Sequence, residues 1–411
     1  MSDLLERGRE RLEWARTHMA VLAAIRKDLV KAKAFRGLRI GMALHVEAKT
    51  GVLALALRDA GATVRLASCN PLSTDDSVVA ALRDEGVDVH AKKWETDAEY
   101  DEYLHKVLDL RPNLVIDDGG DLIYRLHTNR KDLLPAVIGA NEETTTGVHR
   151  MRAMEEAKEL RFPVIDVNDA MTKHLFDNRY GTGQSTIDGI LTATNLLLAG
   201  KRFVVAGYGW CGRGVAMRAR GMGANVVVTE VDPIKAIEAK LDGFEVMPML
   251  NAAKTADFIV TATGDRDIVT ARHLHDVRDG CVLANAGHFN VEVNMEDLRR
   301  HAKRRRRVRE FVDEYVLRGG KTVYVLGEGR LVNLAVGQGH PVEIMDMSFS
   351  IQALCANLLA REGKRMEPRV HAVPRAIDER VARLQLRAMG VAIDEHSPAQ
   401  RKYLASWTEG T

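Results

Sequence analysis

The chain of 411 residues is long enough for two to three domains with cores of their own. Its formal net charge of +2 is close to neutral, which gives no bulk electrostatic case for binding nucleic acid or a membrane surface. No apolar run is long enough to span a bilayer, the N-terminus lacks the layout of a signal peptide, and the four cysteines lack CxxC spacing, so we expect a cytoplasmic protein without a metal site or a disulfide framework.

The first predicted elements are one or two helices over residues 4–34. Their predicted apolar face consists of Leu12, Trp14, Met19, Leu22 and Ile25. From Gly37 onward, predicted strands alternate with predicted helices. The strands cover residues 38–46, 62–70, 87–93 and 113–121, and the helices cover residues 49–61, 74–86 and 97–110. This alternation predicts a parallel α/β domain.

Polar side chains follow several of these strands. His45 and Glu47 follow the first strand, residues 68–70 end the second, and residues 117–121 end the fourth. Because ligands of parallel α/β domains bind at the carboxyl ends of strands, we expect these clusters to lie at one site.

Two polar stretches, residues 140–151 and 162–190, lead away from this domain. In the second stretch, Lys173 and Asp177 are four residues apart and therefore share one face of a helix. Taken alone, the pair favours an ordinary salt-bridged helix over a functional site.

Residues 201–230 contain the strongest motif of the chain. An apolar strand is followed by Gly207, Gly209 and Gly212 in GxGxxG spacing, then by a helix and a second strand that ends at Glu230. Such glycines let the backbone approach a pyrophosphate at a helix N-terminus, and the acid meets the ribose hydroxyls. A carboxylate at this position would repel a 2′-phosphate, so the motif predicts NAD rather than NADP.

Three further strands are predicted at residues 257–265, 280–293 and 323–341. The last two lead into loops with a histidine, His288 or His340, that would face the cofactor cleft. The basic run 299–310 is interpreted as a solvated helical face rather than an RNA site, because acids flank it and no aromatic residues interleave. Helices are expected again at residues 348–363 and 376–390.

Several of these motifs resemble S-adenosylhomocysteine hydrolase, in order and over roughly residues 35–380. They are DDGGDL (117–122), EETTTGVHRM (142–151), NDAMTKHLFDNRYGTGQS (168–185), GYGWCGRG (207–214), NAGHFNVEV (285–293) and EGRLVNLAVGQGHP (328–341). The resemblance implies two Rossmann-like, doubly wound parallel-sheet domains and a small C-terminal helical segment. The implied bounds are 1–180 with a return segment 341–376 for the substrate domain, 184–338 for the NAD domain, and 377–411 for oligomerisation, in a homotetramer built as a dimer of dimers.

The reaction implied by the resemblance is a reversible hydrolysis without net redox change, as part of the methyl cycle of one-carbon metabolism. NAD oxidises the ribose 3′-hydroxyl, which acidifies the C4′ hydrogen; homocysteine is then eliminated, water adds, and the hydride returns. This chemistry needs an alcohol activator, a base for the C4′ proton, an acid for the leaving group, and a cleft that excludes water.

By motif match, Lys173 and Asp177 would hold and deprotonate the 3′-hydroxyl, with Asp177, Asp169 and the cofactor's charge available to tune the pKa of Lys173. Glu143 would hold the ribose hydroxyls. Asp118 and His45 would handle the C4′ proton and the sulfur or water at C5′, and which group does which stays open. The remaining implied substrate and catalytic residues are Glu47, Lys49, Thr50, Asn178, His288 and His340.

The resemblance also implies which residues hold NAD. They are Thr144, Thr145, Thr146, Asn178, Gly207, Gly209, Trp210, Cys211, Gly212, Glu230, Lys235, Thr263, Gly264, Asn333 and His340. Three departures imply that NAD is held less tightly, or exchanges more readily, than is usual in the family. Lys235 stands in place of Asn, Thr182 in place of Cys, and the C-terminus lacks the Lys and Tyr tail with which a neighbouring subunit clamps NAD.

The base pocket departs from the common family form as well. The family reads HMTxE or HMTxQ, whereas this chain reads HVEAK, with Glu47 and Lys49 exchanging an acceptor for a donor. If Lys49 faces position 6 and Glu47 faces N1, the pair fits hypoxanthine better than adenine, because two donors facing each other would cost about 1–3 kcal/mol. S-Inosylhomocysteine is then a substrate, alone or beside S-adenosylhomocysteine. The alternative is that Lys49 turns away to pair with Glu47 or to reach solvent.

Two other functions are compatible with the central motif. A hydroxyacid dehydrogenase shares the two-lobed architecture but does not explain Lys173, Asp177, Asn178 and the threonine run together. A silent regulatory relative would bind nucleotide and a partner protein, but the matched catalytic positions are intact.

Overall fold

A computed structural model describes residues 2–408 of the chain. Two open sheets, of seven and eight strands, follow each other along the chain. We call each sheet with its helices the first and the second lobe. The first lobe begins with α1 (Ser2–His18) and α2 (Ala20–Ala32). Leu12 on α1 and Met19, between the two helices, are fully buried in the core, whereas Trp14 is 66% exposed.

Trp14 therefore does not belong to the predicted apolar face. Two residues along a helix correspond to about 200° of rotation, so Trp14 points away from the side on which Leu12 is buried. Its ring instead stacks on the imidazole of His18, with ring centroids 4.2 Å apart.

The strands of the first sheet are parallel in every pair. Six of them are β1 (Arg39–Ala43), β2 (Thr63–Ala67), β3 (Asp88–His90), β4 (Leu114–Asp117), β5 (Gly139–Glu142) and β6 (Val164–Asp166). The helices between them are α3 (Ala48–Asp59), α4 (Asp76–Asp84), α5 (Asp97–Asp109), α6 (Asp121–His127) and α7 (Thr145–Glu156), with a 3-10 turn at Lys131–Ala136. The strand order reverses between β1 and β4, which is where ligands bind in such sheets.

The connection to the second lobe is helical. It consists of α8 (Met171–Lys173), a π-helix (His174–Gly181) and α9 (Thr182–Thr194). A π-helix closes its hydrogen bonds five residues apart rather than four, which brings different side chains together from those of an α-helix.

The second sheet is parallel except at one edge. Its strands are β7 (Arg202–Ala206), β8 (Asn225–Thr229), β9 (Glu245–Val246), β10 (Phe258–Thr261), β11 (Cys281–Asn285), β12 (Ala302–Arg309), β13 (Val312–Leu317) and β14 (Thr322–Leu326). Its helices are α10 (Trp210–Gly221), α11 (Pro233–Leu241), α12 (Met249–Ala253), α13 (Ala271–Asp276) and α14 (Met295–His301), and Gly327–Gly329 forms a 3-10 turn. Two doubly wound, mainly parallel sheets confirm the predicted fold class.

The basic run is not the helix that the sequence analysis predicts. After His301 it becomes β12, an exposed edge strand paired antiparallel with β13. Arg305 and Arg307 pair with Asp313, and the alternate arginines pair with Glu314 on the same neighbouring strand. Successive side chains of a strand point to opposite faces, which explains why alternate arginines pair with different acids. The charged side chains also protect this edge strand from pairing with a strand of another molecule.

The chain then returns to the first lobe. Helix α15 (Val332–Ala335) still packs on the second lobe. The returning elements are α16 (Val342–Glu362), a 3-10 turn (Gly363–Arg365), β15 (Val370–Ala372), α17 (Arg375–Ala388) and α18 (Pro398–Leu404). Strand β15 pairs with β6 and completes the first sheet. The sequence analysis expects no bilayer-spanning run, yet Val342–Arg365 qualifies by length and composition; 67% of its most apolar window is buried inside the protein.

Candidate active site

A cavity of about 570 Å³ lies between the carboxyl ends of the two sheets. Most of the residues proposed from the sequence line it. They are His45, Glu47, Lys49, Thr50, Asp118, Glu143, Thr144, Thr145, Thr146, Lys173, Asp177, Asn178, Gly209, Trp210, Cys211, Lys235, Thr263, Gly264, His288, Asn333 and His340. Gly207, Gly212 and Glu230 are not among its lining residues: the two glycines lie in the turn after β7 and the first turn of α10, and Glu230 directly follows β8.

His45 and Asp118 follow β1 and β4, where the strand order reverses. His45 Nε2 lies 3.4 Å from Asp118 Oδ2, and His288 Nδ1 approaches Asp118 Oδ1 to 3.6 Å from the second lobe. Burial lowers the pKa of His45 to about 4, although the charge of Asp118 opposes this shift. The imidazole of His45 is therefore neutral at physiological pH.

The protonated nitrogen of His45 can be assigned from its partner. Ser73 Oγ lies 2.7 Å from His45 Nδ1 and 3.0 Å from the Asn70 carbonyl, which also accepts from Ser68 Oγ at 2.6 Å. The Asp118 carboxylate oxygen beside Nε2 favours the tautomer with the hydrogen on Nε2, since two acceptors would otherwise face each other. Nδ1 then accepts from the Ser73 hydroxyl.

Lys173 is the centre of a buried charged cluster. Its Nζ lies 3.3 Å from Asp177 Oδ1 and 3.5 Å from Glu143 Oε1, and it donates to Asn178 Oδ1 at 2.9 Å. The contact to Asn178, five residues along, follows from the π-helix. His340 Nε2 also approaches Asp177 Oδ1, at 3.4 Å.

The charged groups in this cluster shift one another's pKa. Burial acts to lower the pKa of Lys173, but the charges of Asp177 and Glu143 outweigh it and raise that pKa. Burial also acts to raise the pKa of Asp177, but Lys173 and then His340 keep it below its usual range. Burial raises the pKa of Glu143 to about 7, against the effect of Lys173 and with the help of Asp177 and Asp118.

Asp169 does not take part in this cluster, in contrast to the expectation from sequence. Its carboxylate is exposed and pairs with Arg152 at 3.0 Å. The residue precedes α8, and the backbone there directs its side chain away from the cavity and into solvent.

At the end of the cavity assigned to the base, Glu47 caps α3. Its carboxylate accepts from Lys49 N at 3.0 Å and from Thr50 N at 3.2 Å. Lys49 Nζ lies 2.9 Å from Glu47 Oε2 and donates to the Gln338 carbonyl at 3.1 Å. Lys49 thus pairs with Glu47 and also lines the cavity. That Lys49 faces position 6 of the base stays a prediction.

The turn after β7 leaves room for a dinucleotide. Gly207 has a φ of +95°, and a Cβ on Gly212 would overlap the Gly207 carbonyl. A Cβ on Gly209 would stand in open space within the cavity lining. Glu230 is held at the end of β8 by accepting from Tyr208 N at 2.6 Å.

A second feature fits NAD. Within residues 2–408, the buried amide oxygen of Asn333 has no hydrogen-bond partner, and it lies in the cavity lining. A nicotinamide carboxamide brings the N–H donor that such an oxygen needs. The residues of the second lobe therefore fit the cofactor at two places, the glycine turn after β7 and Asn333.

The two substituted positions have local partners. Thr182 Oγ1 lies 3.2 Å from His340 Nε2 and 3.6 Å from Cys211 Sγ. Lys235 Nζ lies 3.6 Å from Asp232 Oδ2, and its side chain is 44% exposed. Weaker retention of NAD stays a prediction.

Sequence reasoning missed several residues around the cavity. Glu292 accepts from Thr263 N at 3.0 Å and Gly264 N at 2.9 Å and so fixes that loop. Ser348 and Gln352, on α16, contact the carboxylates of the Lys173 cluster. The available signal was their polarity inside an otherwise apolar helical run.

Comparisons with known proteins agree with this geometry. A family model described as "S-adenosyl-L-homocysteine hydrolase" matches residues 2–138, and one described as "S-adenosyl-L-homocysteine hydrolase, NAD binding domain" matches residues 178–339. The S-inosyl-L-homocysteine hydrolase of Methanopyrus kandleri is 55% identical over 100% of this chain and 97% of its own length. The adenosylhomocysteinase of Thermoplasma acidophilum is 56% identical over 98% of this chain and 99% of its own. The S-inosyl-L-homocysteine hydrolase of Methanocaldococcus jannaschii is 55% identical over 100% of this chain and 98% of its own.

Proposed function

The chain belongs to the S-adenosyl-L-homocysteine hydrolase family, and from this premise we propose that its preferred substrate is S-inosyl-L-homocysteine. The family gives the reaction, which is hydrolysis of a nucleosyl-homocysteine thioether by an enzyme with NAD as cofactor. Membership of this family favours hydrolysis over the two other functions considered from the sequence, a hydroxyacid dehydrogenase and a silent regulatory relative. Relatives of both nucleobase types are about equally similar, so the preference has to be argued from the pocket.

Lys49 Nζ is the observation that supports the proposal. An ammonium has three N–H donors, and Lys49 uses two of them on Glu47 and Gln338, which leaves one for the cavity. The carboxylate of Glu47 accepts from two backbone N–H groups, from Lys49 Nζ and, at the long distance of 3.4 Å, from the Thr50 hydroxyl. In the proposed complex Lys49 donates to O6, and Glu47 accepts from N1–H in place of the Thr50 hydroxyl. This pair fits hypoxanthine better than adenine, whose 6-amino group would face a donor and whose N1 would face an acceptor.

Steady-state thiol release from the two nucleosyl-homocysteines tests this preference. We expect kcat/KM to favour the inosyl substrate about tenfold, which corresponds to about 1.4 kcal/mol. Lys49→Gln offers a donor and an acceptor and should lower this ratio at least about fivefold, since either base then finds a partner. Lys235→Gln, on the cofactor side of the cavity, is the matched control and should leave the ratio unchanged. A hundredfold preference for the adenosyl substrate in the wild type would exclude the proposal.

We assign the steps of the reaction to the residues as follows. Lys173 and Asp177 hold the 3′-hydroxyl and move its proton, and Glu143 holds the ribose hydroxyls. Across the cavity, Asp118 and the neutral His45 serve the C4′ proton and the sulfur or water at C5′. NAD, when bound, supplies the hydride acceptor and donor for the sugar.

The assembly and location are proposed on the same premise. We propose a cytoplasmic homotetramer that acts in the methyl cycle. Apolar side chains on α11 and in the loop just before it support an oligomer, because large exposed apolar patches mark interaction surfaces. They are Val231 in the loop and Ile234, Ile237 and Leu241 on the helix, which are 98%, 75%, 61% and 83% exposed.

A further inference from the structure

Helix α16 directs two polar side chains at the Lys173 cluster from outside the cavity. Ser348 and Gln352 are four residues apart, so they lie on one face of the helix, and both are fully buried. Ser348 Oγ donates to Asp177 Oδ2 at 2.8 Å, and Gln352 Nε2 donates to Glu143 Oε2 at 2.6 Å. Neither residue is among those that line the cavity.

The orientation of the Gln352 amide follows from a third residue. Asn141 Nδ2 donates to Gln352 Oε1 at 2.9 Å and to the Gln352 carbonyl at 3.0 Å. Since the amide oxygen accepts from Asn141, the amide N–H group must face Glu143. Asn141 lies on β5, two residues before Glu143, so the strand and the helix set this contact together.

Each carboxylate of the cluster is thus held from two sides. The α16 residues donate to Asp177 Oδ2 and Glu143 Oε2, whereas Lys173 Nζ faces Asp177 Oδ1 and Glu143 Oε1. A donor on one oxygen fixes the rotation of the carboxylate and favours its charged form.

We propose that Ser348 and Gln352 are positioning residues that keep Asp177 and Glu143 oriented and ionised around Lys173. The inference rests on the roles proposed above for Lys173, Asp177 and Glu143. Without the Gln352 amide, Glu143 Oε2 would be a buried acceptor with no donor, and the neutral acid would be favoured. The cluster would then carry one negative charge less when substrate binds.

The remaining charges around these carboxylates set the direction of the effect. Glu143 is faced by Lys173, Asp177 and Asp118, and Asp177 is faced by Lys173 and His340. The pKa of Glu143 is already raised to about 7, chiefly by burial, and the Gln352 amide acts to lower it. Loss of that donor must therefore raise the pKa of Glu143 further, so the active, ionised form is lost at a higher pH.

The test is the pH profile of kcat for thiol release from the nucleosyl-homocysteine, between pH 5.5 and pH 9. Gln352→Met removes the amide at similar side-chain volume. We expect its acid limb to move to higher pH by about one unit, so that kcat falls about tenfold at pH 6 and recovers to within about threefold at pH 8.5. Asp177 stays ionised over this whole range because its pKa is low, so Ser348→Ala should lower kcat by a similar factor at every pH through lost orientation, and Ser348→Thr, which keeps the hydroxyl, should restore kcat.

Ser350→Ala is the matched control on the same helix. Ser350 is fully buried, and its hydroxyl has no hydrogen-bond partner in the described part of the chain. Its removal should leave the pH profile unchanged. A loss of kcat by the same factor at every pH in Gln352→Met, or no change at all, would overturn the inference. If Gln352→Met does not fold, the loss of kcat in Ser348→Ala and its rescue in Ser348→Thr test the orienting role by themselves, and an unchanged kcat in Ser348→Ala overturns it.

Glu143→Gln separates this inference from the role proposed for Glu143 itself. It removes the titrating group, so the acid limb should disappear. If the limb persists in Glu143→Gln, the assignment of Glu143 is wrong. A limb that disappears in Glu143→Gln but stays in place in Gln352→Met contradicts only the positioning role.

Discussion

Ser73 helps to set which nitrogen of His45 carries the proton. Its hydroxyl donates to His45 Nδ1, which keeps the hydrogen on Nε2, on the side of Asp118. In Ser73→Ala this donor is lost, and the imidazole can adopt the other tautomer, which has no N–H on the side of Asp118. We expect kcat for thiol release to fall about tenfold, a modest share of the effect of a general acid–base group. Steady-state kinetics at pH 7.5 measure this directly.

The neighbouring Thr74 provides the control for this variant. It is equally buried, but its hydroxyl has no hydrogen-bond partner within residues 2–408. Thr74→Val should keep the wild-type kcat. An unchanged kcat in Ser73→Ala would show that the tautomer of His45 does not matter for the reaction.

Motif residues could be found from the sequence because their spacing carries a chemical requirement. Lys173 and Asp177 are four residues apart, and His45 and Asp118 directly follow strands, so their grouping was accessible. Gln352 was not, because its target Glu143 is more than two hundred residues away in the chain and only the folded helix brings them together. The Ser73 contact is equally a product of loop geometry.

At the scale of elements, α16 also holds the beginning of α2. Asp346 accepts from Val21 N at 2.8 Å and from Leu22 N at 2.7 Å, and burial raises its pKa to about 6. A carboxyl group whose pKa is higher in the folded state binds its proton more tightly there than in the unfolded chain, where the pKa is about 3.9. Its contribution to the free energy of unfolding therefore falls as pH rises from about 4 to about 6.

Asp346→Asn removes this titration. The free energy of unfolding of the wild type relative to the variant should decrease between pH 4 and pH 6 and stay constant above that range. Denaturant unfolding at several pH values measures the difference. Asp394→Asn, at an exposed position near the C-terminus, should show no such trend. A difference that does not depend on pH would contradict the raised pKa.

The periodicity of apolar residues was sufficient to predict most helices and strands. It failed where contacts with another element determine the secondary structure. The buried strands β4 and β7 have apolar runs that predict them directly. The arginines of β12 gain their strand conformation from acids on β13, which a local pattern does not contain. The π-helix at His174–Gly181 was likewise inaccessible, because the local sequence is also compatible with an α-helix.

At the scale of the molecule, two aromatic rings join the lobes next to the edge strands β3 and β12. Trp94, in the loop after β3, stacks on Phe311, in the turn between β12 and β13, with ring centroids 6.1 Å apart. Lys93 Nζ lies 5.3 Å from the centre of the same ring. Such a stack contributes about 1 kcal/mol, or about fivefold in an equilibrium between closed and open cleft.

Phe311→Ala should therefore favour the open cleft. We expect KM for the nucleosyl-homocysteine and the rate of NAD release each to rise about threefold to fivefold, with little change in kcat. NAD release is followed by exchange against a labelled cofactor. Phe311→Tyr keeps the ring and should behave as the wild type. Unchanged KM and NAD release in Phe311→Ala would show that the stack does not hold the lobes together.

The proposed tetramer can be tested on α11. Ile237→Glu places a charge in the apolar patch and should shift the assembly toward smaller species, because burying an unpaired charge at an interface is unfavourable. Light scattering after size-exclusion chromatography gives the mass. Lys240→Glu changes the charge of the same helix outside the patch and should stay tetrameric. A wild-type protein that is monomeric at micromolar concentration would exclude the proposal.

The return of the chain to the first lobe has a consequence for biosynthesis. Helix α16 and β15 complete the core of the lobe that contains the N-terminus, yet they are made after all strands of the second lobe. On the ribosome, the second lobe is therefore the first to have its whole sheet available, and the first lobe waits with part of its apolar surface uncovered until the nascent chain is nearly finished. The lobe that is begun first is finished last, and the carboxylates Asp177 and Glu143 receive their α16 donors only at that late stage.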